Sequence, residues 1–586
     1  MSSNFNVACR LVEIAGKLPN SFAIVQSING EYKKITYLDL ETDSNCLAAA
    51  MHNLGICRGK RIALFVHYGI DFISLVFALL KTGATIVLID PGMGVRRMLN
   101  CLAEIEPDGM IAIPPVHLVR LLMRHKFPKS KYNITVGNCW FWGGLSLGKI
   151  RREKNCVQFN PVETLPDDVA AIIFTSGSTG APKGVEFTHQ IFNTQIEEIK
   201  TRYGIVAGEI DLACFPLFGL FDLAMGVTAV IPEFDPTKPA KADPEKIIRT
   251  ANECQITQSF ASPAIWNRVA NYFDKLNVSK PTSSTDIGIT KPVLEVGFAL
   301  EQPFRDATLA CSASGISKQL KYVTNIPTLK RVISAGAPVA ADILQKLKPY
   351  IHPQGEIFTP YGATESLPTA SINATEILTE TVAVTNSGGG VCVGKRFSTI
   401  SWAIIEISDS PIPQLESVVK LQNGQIGELI VTGLQVTKKY INRPEANVLA
   451  KITDSNGRIW HRMGDVGYLD SQDRFWFCGR KVHRVETPEG ILFSIPCESI
   501  FNQHPAVFRS ALANSPQGKP RIFIEPHQNN FPKSKKEKLN LINELREIAQ
   551  NNKMTKQITE IRLMKNFPVD VRHNVKINRE LLSTLR

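Results

Sequence analysis

The sequence predicts an α/β protein: a large N-terminal domain of α/β subdomains with a small β-rich subdomain, and a small mobile α+β C-terminal domain. Three observations carry this. Short apolar runs alternate with helical patterns through most of the first 400 residues, the signature of largely parallel sheets. From about Val391 the pattern turns to strand-like pieces separated by turns, and after Arg480 to an α+β piece rich in positive charge. At 586 residues the chain is also too long for one core.

Within the first region, Arg61–His67 reads as a strand, Phe72–Lys81 as a helix and Thr85–Asp90 as the next strand. Ala170–Thr175 is a further buried strand, followed by a glycine-rich turn and a helix beginning near His189. The tract Asp211–Pro232, rich in Phe and Leu, reads as core strand and helix. Trp402–Ile407 and Gly427–Thr432 are strands of the β-rich part. The domains are expected at 1–479 and 480–586, with the boundary at Gly479–Val482. Between Lys275 and Lys321 the chain is rich in Ser, Thr, Lys and Pro without clear periodicity, which reads as an insertion.

Composition excludes several classes. Hydrophobic residues make up 44% and charged residues 20%, as in ordinary globular proteins. The longest apolar runs, Phe72–Leu80 and Pro216–Pro232, fall short of a bilayer span, and the N-terminus lacks a signal-peptide pattern. The 12 cysteines are scattered without metal-site spacing and are expected to be reduced, in a cytoplasmic protein. The formal charge is +12, most of it after Ser471. That basic segment suits nucleic acid, anionic lipid, a lid over a phosphate-bearing ligand, or a solvated surface. No nucleic-acid reading motif accompanies it.

The most informative segment is Phe174–Gly184, FTSGSTGAPKG. A buried strand ends in a loop of three glycines and four hydroxyl residues, closed by Lys183. Glycine lets backbone N–H groups approach a polyanion, hydroxyls donate to it and the ammonium adds charge. The loop is therefore a phosphate cradle or a flexible Gly/Ser turn. It is not a Walker P-loop, because Gly177 and Gly180 are three apart and Pro182 precedes the lysine.

TSGSTGAPKG followed by Thr188–His189 resembles the phosphate loop of the adenylate-forming superfamily, which includes acyl-CoA synthetases, adenylation domains and luciferase. Further motifs occur in that family's order: SAGAP at Ser334–Pro338, TPYGATES at Thr359–Ser366, MGDVGYLD at Met463–Asp470, FCGRKVHRV at Phe477–Val485 and PVDVRHNVKINRELL at Pro568–Leu582. The resemblance implies that Thr175, Ser176, Gly177, Ser178, Thr179, Gly180 and Lys183 grip the phosphates of ATP. It puts Gly336, Ala337 and Pro338 against adenine, with Tyr361, Gly362 and Ala363 beside the nucleotide and Thr364 at the α-phosphate. Glu365 holds Mg²⁺, Asp465 takes the ribose hydroxyls, Arg480 contacts ribose and phosphate, and Lys576 reaches carboxylate and α-phosphate. In the last motif the usual S-G-K is N-V-K here.

The same resemblance assigns Phe215 or Phe218 to the gate of an acyl pocket that takes a fatty acid. Most thioester-forming members of the family carry Asp or Lys where this chain has Val482. Taken together, the segments resemble most closely the β-lactone synthetases of bacterial long-chain olefin biosynthesis. That implies a 2-alkyl-3-hydroxy fatty acid, activated as acyl-AMP and closed to a β-lactone by its own hydroxyl, with other enzymes of an olefin-type pathway as partners. Coenzyme A enters only in the alternative, a fatty acyl-CoA synthetase; an acyl-AMP ligase is the other alternative. His483 is either a base for the substrate hydroxyl or a structural, phosphate-contacting residue.

Overall fold

The computed structural model describes residues 4–153, 158–175, 181–278, 325–569 and 577–585. It shows two packed α/β sheets and a smaller C-terminal α+β unit. The first sheet has seven strands, in the order Leu145–Ser146, Tyr132–Thr135, Gly109–Ala112, Arg61–Phe65, Thr85–Leu88, Val169–Phe174, Gly184–Thr188. Every neighbouring pair is parallel except the last, which is antiparallel.

The second sheet has a parallel half built from Phe22–Ile28, Thr228–Ile231, Ile210–Ala213, Gln258–Ala261, Arg331–Ser334 and Glu356–Ala363. It then turns antiparallel at Ser366–Asn373 and continues through Val391–Arg396, Arg474–Arg480, Ile459–Leu469, Gly427–Gly433 and Ile400–Ile405. The β-rich part is therefore continuous with the parallel sheet and starts before Val391. The hairpin at 363–366 supplies an antiparallel edge onto which the later strands pair.

The apolar run read as a helix spans Ile70–Thr82, and all its residues except Asp71 are buried. It packs in the core shared by the two sheets, so its uniform hydrophobicity reflects burial on all sides. Each buried leucine of this helix contributes about 1.5–3 kcal/mol by leaving water. Its one interior cation, Lys81, pairs with Glu41 at 2.8 Å and donates to Ser44 and Asn45. The helix ends on Gly83 at φ 72°, a left-handed cap suited to glycine. Among the described residues no helix is long and apolar enough to cross a membrane.

Asp211–Pro232 folds as strand, helix Pro216–Met225 and strand, as read from its pattern. The helix Pro263–Val278 absorbs the start of the expected insertion, and 279–321 lies outside the described residues. Beyond Arg480 a short turn at Lys481–His483 leads to a separate core. Strands Val507–Asn514, Pro520–Pro526 and Glu560–Leu563 pack there on helices Ser494–Phe501 and Lys535–Gln550. Nine described cysteines are free thiols, but Cys46 is disulfide-bonded, which corrects the expectation of a wholly reduced set.

Candidate active site

The carboxyl ends of the parallel strands of both sheets open on one cavity of about 3120 Å³. A single small-ligand pocket is roughly 300–1,000 Å³, so this is a cleft with more than one compartment. Strand Val169–Phe174 enters it at Thr175 and returns as Gly184–Thr188. The neck of that loop is closed by two backbone-anchored bonds: the Thr175 amide donates to the Lys183 carbonyl at 3.0 Å, and the Lys183 amide to Thr175 Oγ1 at 3.1 Å. Ser176, Gly177, Ser178, Thr179 and Gly180 lie outside the described residues, as does Lys576.

Strand Arg331–Ser334 delivers Gly336, Ala337 and Pro338 to the cavity wall. Beside it, Glu356–Ala363 and Ser366–Asn373 form a hairpin whose two-residue tip is Thr364–Glu365, facing the same space. Gly362 makes the hairpin possible: a Cβ there would stand 2.5 Å from the Ser366 carbonyl oxygen.

Asp465 and Arg480 are direct partners across strands Ile459–Leu469 and Arg474–Arg480. The Tyr361 hydroxyl donates to Asp465 Oδ2 at 2.5 Å, and Arg480 Nη1 stands 3.1 Å from Oδ1. Oδ1 accepts no hydrogen bond among the described residues although Asp465 is buried. Asp465 lines the cavity, and this buried oxygen, faced by Arg480, still has room in its hydrogen bonding for a donor. Burial pushes the Asp465 carboxyl upward, while Arg480 and the Tyr361 hydroxyl pull it down.

Glu365 is held from two sides. Tyr440 donates its hydroxyl to Oε1 at 2.6 Å, and the Thr437 amide donates to the Glu365 carbonyl at 2.9 Å. The Tyr440 ring in turn carries the Lys183 ammonium 4.8 Å from its centroid and the Lys451 ammonium at 5.5 Å. Burial, with Lys183 nearby, lowers Lys451 to about 7 against the pull of Glu365. Neither Tyr440 nor Lys451 was singled out from the sequence, because Lys439-Tyr440-Ile441 and Leu449-Ala450-Lys451 carry no spacing that marks chemistry.

A second compartment of the cavity is aromatic. Phe218 stacks on Phe260 with centroids 4.0 Å apart, Phe215 lies 5.8 Å from the same ring, and Phe192 and Phe221 complete the wall. In the turn after Arg480, Val482 is 63% exposed and lines the cavity. Its neighbour Lys481 reaches Glu428 at 3.3 Å. His483 lines the cavity, and burial together with Arg579 and Arg480 lowers its imidazole to about 4. It is therefore neutral at pH 7 and a weak base.

The geometry thus gathers Thr175, Lys183, the SAGAP turn, the TPYGATE hairpin, Asp465 and Arg480 around one space, with Phe215 and Phe218 opening from it. Residues 11–441 match the AMP-binding enzyme family. The chain belongs to that family. It is an adenylate-forming ligase. Over the full chain it is 36% identical to the olefin β-lactone synthetase of Xanthomonas campestris and 35% identical to that of Stenotrophomonas maltophilia, covering 98% of each relative. Its fold superposes on the amide bond synthetase McbA from Marinactinospora thermotolerans with a TM-score of 0.72 at 16% identity, over 98% of this chain and 99% of that one.

Proposed function

We propose that this enzyme joins ATP to a 2-alkyl-3-hydroxy fatty acid and closes the resulting acyl-AMP to a β-lactone, releasing pyrophosphate and then AMP. The observation that carries this reading is one cavity holding both a polar group of nucleotide-binding character and an aromatic compartment for an acyl chain. Full-length likeness to two olefin β-lactone synthetases supports the second step.

In the first step a carboxylate oxygen of the acid bonds to the α-phosphorus of ATP as the bond to the bridging oxygen of pyrophosphate breaks. Lys183, steadied over the Tyr440 ring, sits at the loop that meets the leaving phosphates. Asp465 Oδ1 and Arg480 hold the ribose, and Thr364 donates to the α-phosphate. Glu365 fits a magnesium site: one oxygen is held by Tyr440, the other is free of any described hydrogen bond, and one carboxylate plus substrate phosphates satisfies that hard cation. Bound there, magnesium supplies charge neutralisation to the phosphates.

In the second step the 3-hydroxyl oxygen bonds to the acyl carbon, the acyl–phosphate bond breaks, and the hydroxyl proton leaves to solvent or the AMP phosphate. A low-basicity His483 suits hydrogen bonding to phosphate better than proton abstraction. The nucleophile is internal, so no coenzyme A passage is needed, which accords with Val482 at the hinge. The proposal also places the domain boundary at 479/480, assigns Lys576 to the attacking carboxylate and α-phosphate, and sets the enzyme in the cytoplasm.

Mass-spectrometric product analysis tests it. AMP and a product lighter than the 3-hydroxy acid by one water, formed without coenzyme A, are expected. Coenzyme-A-dependent turnover of a plain fatty acid, with no lactone from the hydroxy acid, overturns the reading.

A further inference from the structure

Side chains alternate along a strand, so neighbouring residues of the central parallel strands of the second sheet face opposite layers. Leu212, Ala261 and Val332 belong to the core built with helices Pro244–Glu253 and Pro263–Val278. Ala213, Phe260 and Ile333 pack instead in the core shared by the two sheets. Phe215, Ser262 and Ala335, just past the carboxyl ends of these strands, line the cavity, and residues of both layers line it with them. The cavity therefore straddles the edge of the sheet.

On the inter-sheet side it is the aromatic compartment, extended by Val76, Phe77 and Leu80 of helix Ile70–Thr82 and by Ile196 and Ala224. All five of these side chains are buried, so core residues wall this side.

On the other side the walls come from three elements. Helix Pro263–Val278 contacts the turn Pro239–Lys241 and the helix Ala341–Leu347. Arg268 Nε donates to the Ala242 carbonyl at 2.5 Å, and Lys346 stands 3.5 Å from Asp274, which ties the helix to both. Phe234, Ala240, Ala264, Val339 and Ile343 give this groove an apolar lining. Asn267 and Asn271, one helical turn apart, also line it and are exposed, so the groove opens to water. Between the two sides lies Ser262, whose buried hydroxyl has no hydrogen-bond partner among the described residues and has room for a polar group of a substrate at the branch.

The alkyl arms of a 2-alkyl-3-hydroxy acid leave adjacent carbons, C2 and C3, next to the carboxyl group that meets ATP. A straight tunnel holds one such arm, whereas a cavity divided by a sheet edge holds both. We propose that the enzyme seats the two arms on opposite faces of the second sheet, one in the buried inter-sheet compartment and the other in the open groove at Phe234, Ala264 and Ile343. The inference rests on the substrate reading given above.

Two series of 2-alkyl-3-hydroxy acids test it, one lengthened on C2 and the other on C3, with AMP release giving kcat/KM. In the wild type, the arm in the inter-sheet compartment should gain up to roughly fourfold per methylene and then drop sharply once that compartment is full. The arm in the groove should lengthen without a sharp limit. Ala264→Trp should lower kcat/KM at least roughly tenfold for acids long in the groove arm alone, and Ala224→Phe for acids long in the other arm alone. Each series is the control for the other. Should Ala224→Phe fail to fold, the wild-type series and Ala264→Trp still decide. Equal length limits on both arms, or an Ala264→Trp loss shared by both series, overturn the inference while lactone release leaves the substrate reading standing. Pyrophosphate exchange with straight-chain acids but with no 2-alkyl acid overturns both.

Discussion

The Tyr440 hydroxyl holds Glu365 at 2.6 Å while its ring lies 4.8 Å from the Lys183 ammonium. One side chain thus couples the carboxylate on the hairpin tip to Lys183, whose backbone closes the neck of the glycine-rich loop with Thr175. Tyr440→Phe keeps the ring and deletes the tether. Outer partners of metal-binding carboxylates typically contribute about 10–100-fold to metal affinity. The magnesium concentration for half-maximal pyrophosphate exchange should rise by that order, with the melting midpoint nearly unchanged. An unaltered magnesium titration would remove Tyr440 from the site.

Asp465 is buried, with one oxygen facing Arg480 at 3.1 Å but accepting no hydrogen bond among the described residues and the other bound to Tyr361. Asp465→Asn removes the charge that Arg480 faces and weakens acceptance of two hydroxyl donors. A charge-assisted hydrogen bond contributes about 1.5–3 kcal/mol, so the KM for ATP should increase roughly 10–150-fold. ATP kinetics at saturating acid measure this directly.

Lys451 has a pH signature. Its ammonium lies at about 7 in the folded chain, lowered mainly by burial, against about 10.4 in an unfolded one. Between those values the unfolded state carries a proton the folded state lacks, so this residue's contribution to stability falls as pH drops through that window and levels off below about 7. Lys451→Met should flatten the melting midpoint against pH between about 7 and 10, raising it most at the lower end. Parallel wild-type and variant curves would contradict the assignment.

Glu428 is nearly fully buried between Arg462 at 2.6 Å and Lys481 at 3.3 Å. Glu428→Gln leaves buried Arg462 and the half-buried Lys481 short of their shared counter-charge, a change that costs about 3–5 kcal/mol. Calorimetry should show a lowered midpoint for the N-terminal unit, and replacement of Lys481 in the same background should recover part of the loss.

Phe218 and Phe260 stack face to face in the aromatic compartment of the cavity. Phe218→Ala removes one plate and opens space. Turnover of long-chain acids is expected to fall through KM, while exchange with a short acid changes little. Equal effects on both substrates would place Phe218 in the scaffold alone.

Much of the site was legible because its parts are local. TPYGATES and MGDVGYLD each combine residue types whose chemistry is set within a few positions, and strand-turn alternation fixes where each projects, while residues 176–180 of FTSGSTGAPKG lie outside the described residues. The α/β class was equally legible, since buried strands and a largely apolar helix advertise themselves in runs such as Arg61–Leu88. Tertiary structure decided what depends on distant partners. Tyr440 joins Glu365 across 75 residues, Asp465 meets Tyr361 across 104, and Phe260 meets Phe218 only because their strand and helix pack together. Lys451 follows the same rule, because its lowered basicity comes from burial and from Lys183, neither visible in its own segment. Sequence spacing governs what a turn or helix can present, while burial and pairing through space govern what that group's charge and hydrogen bonds become.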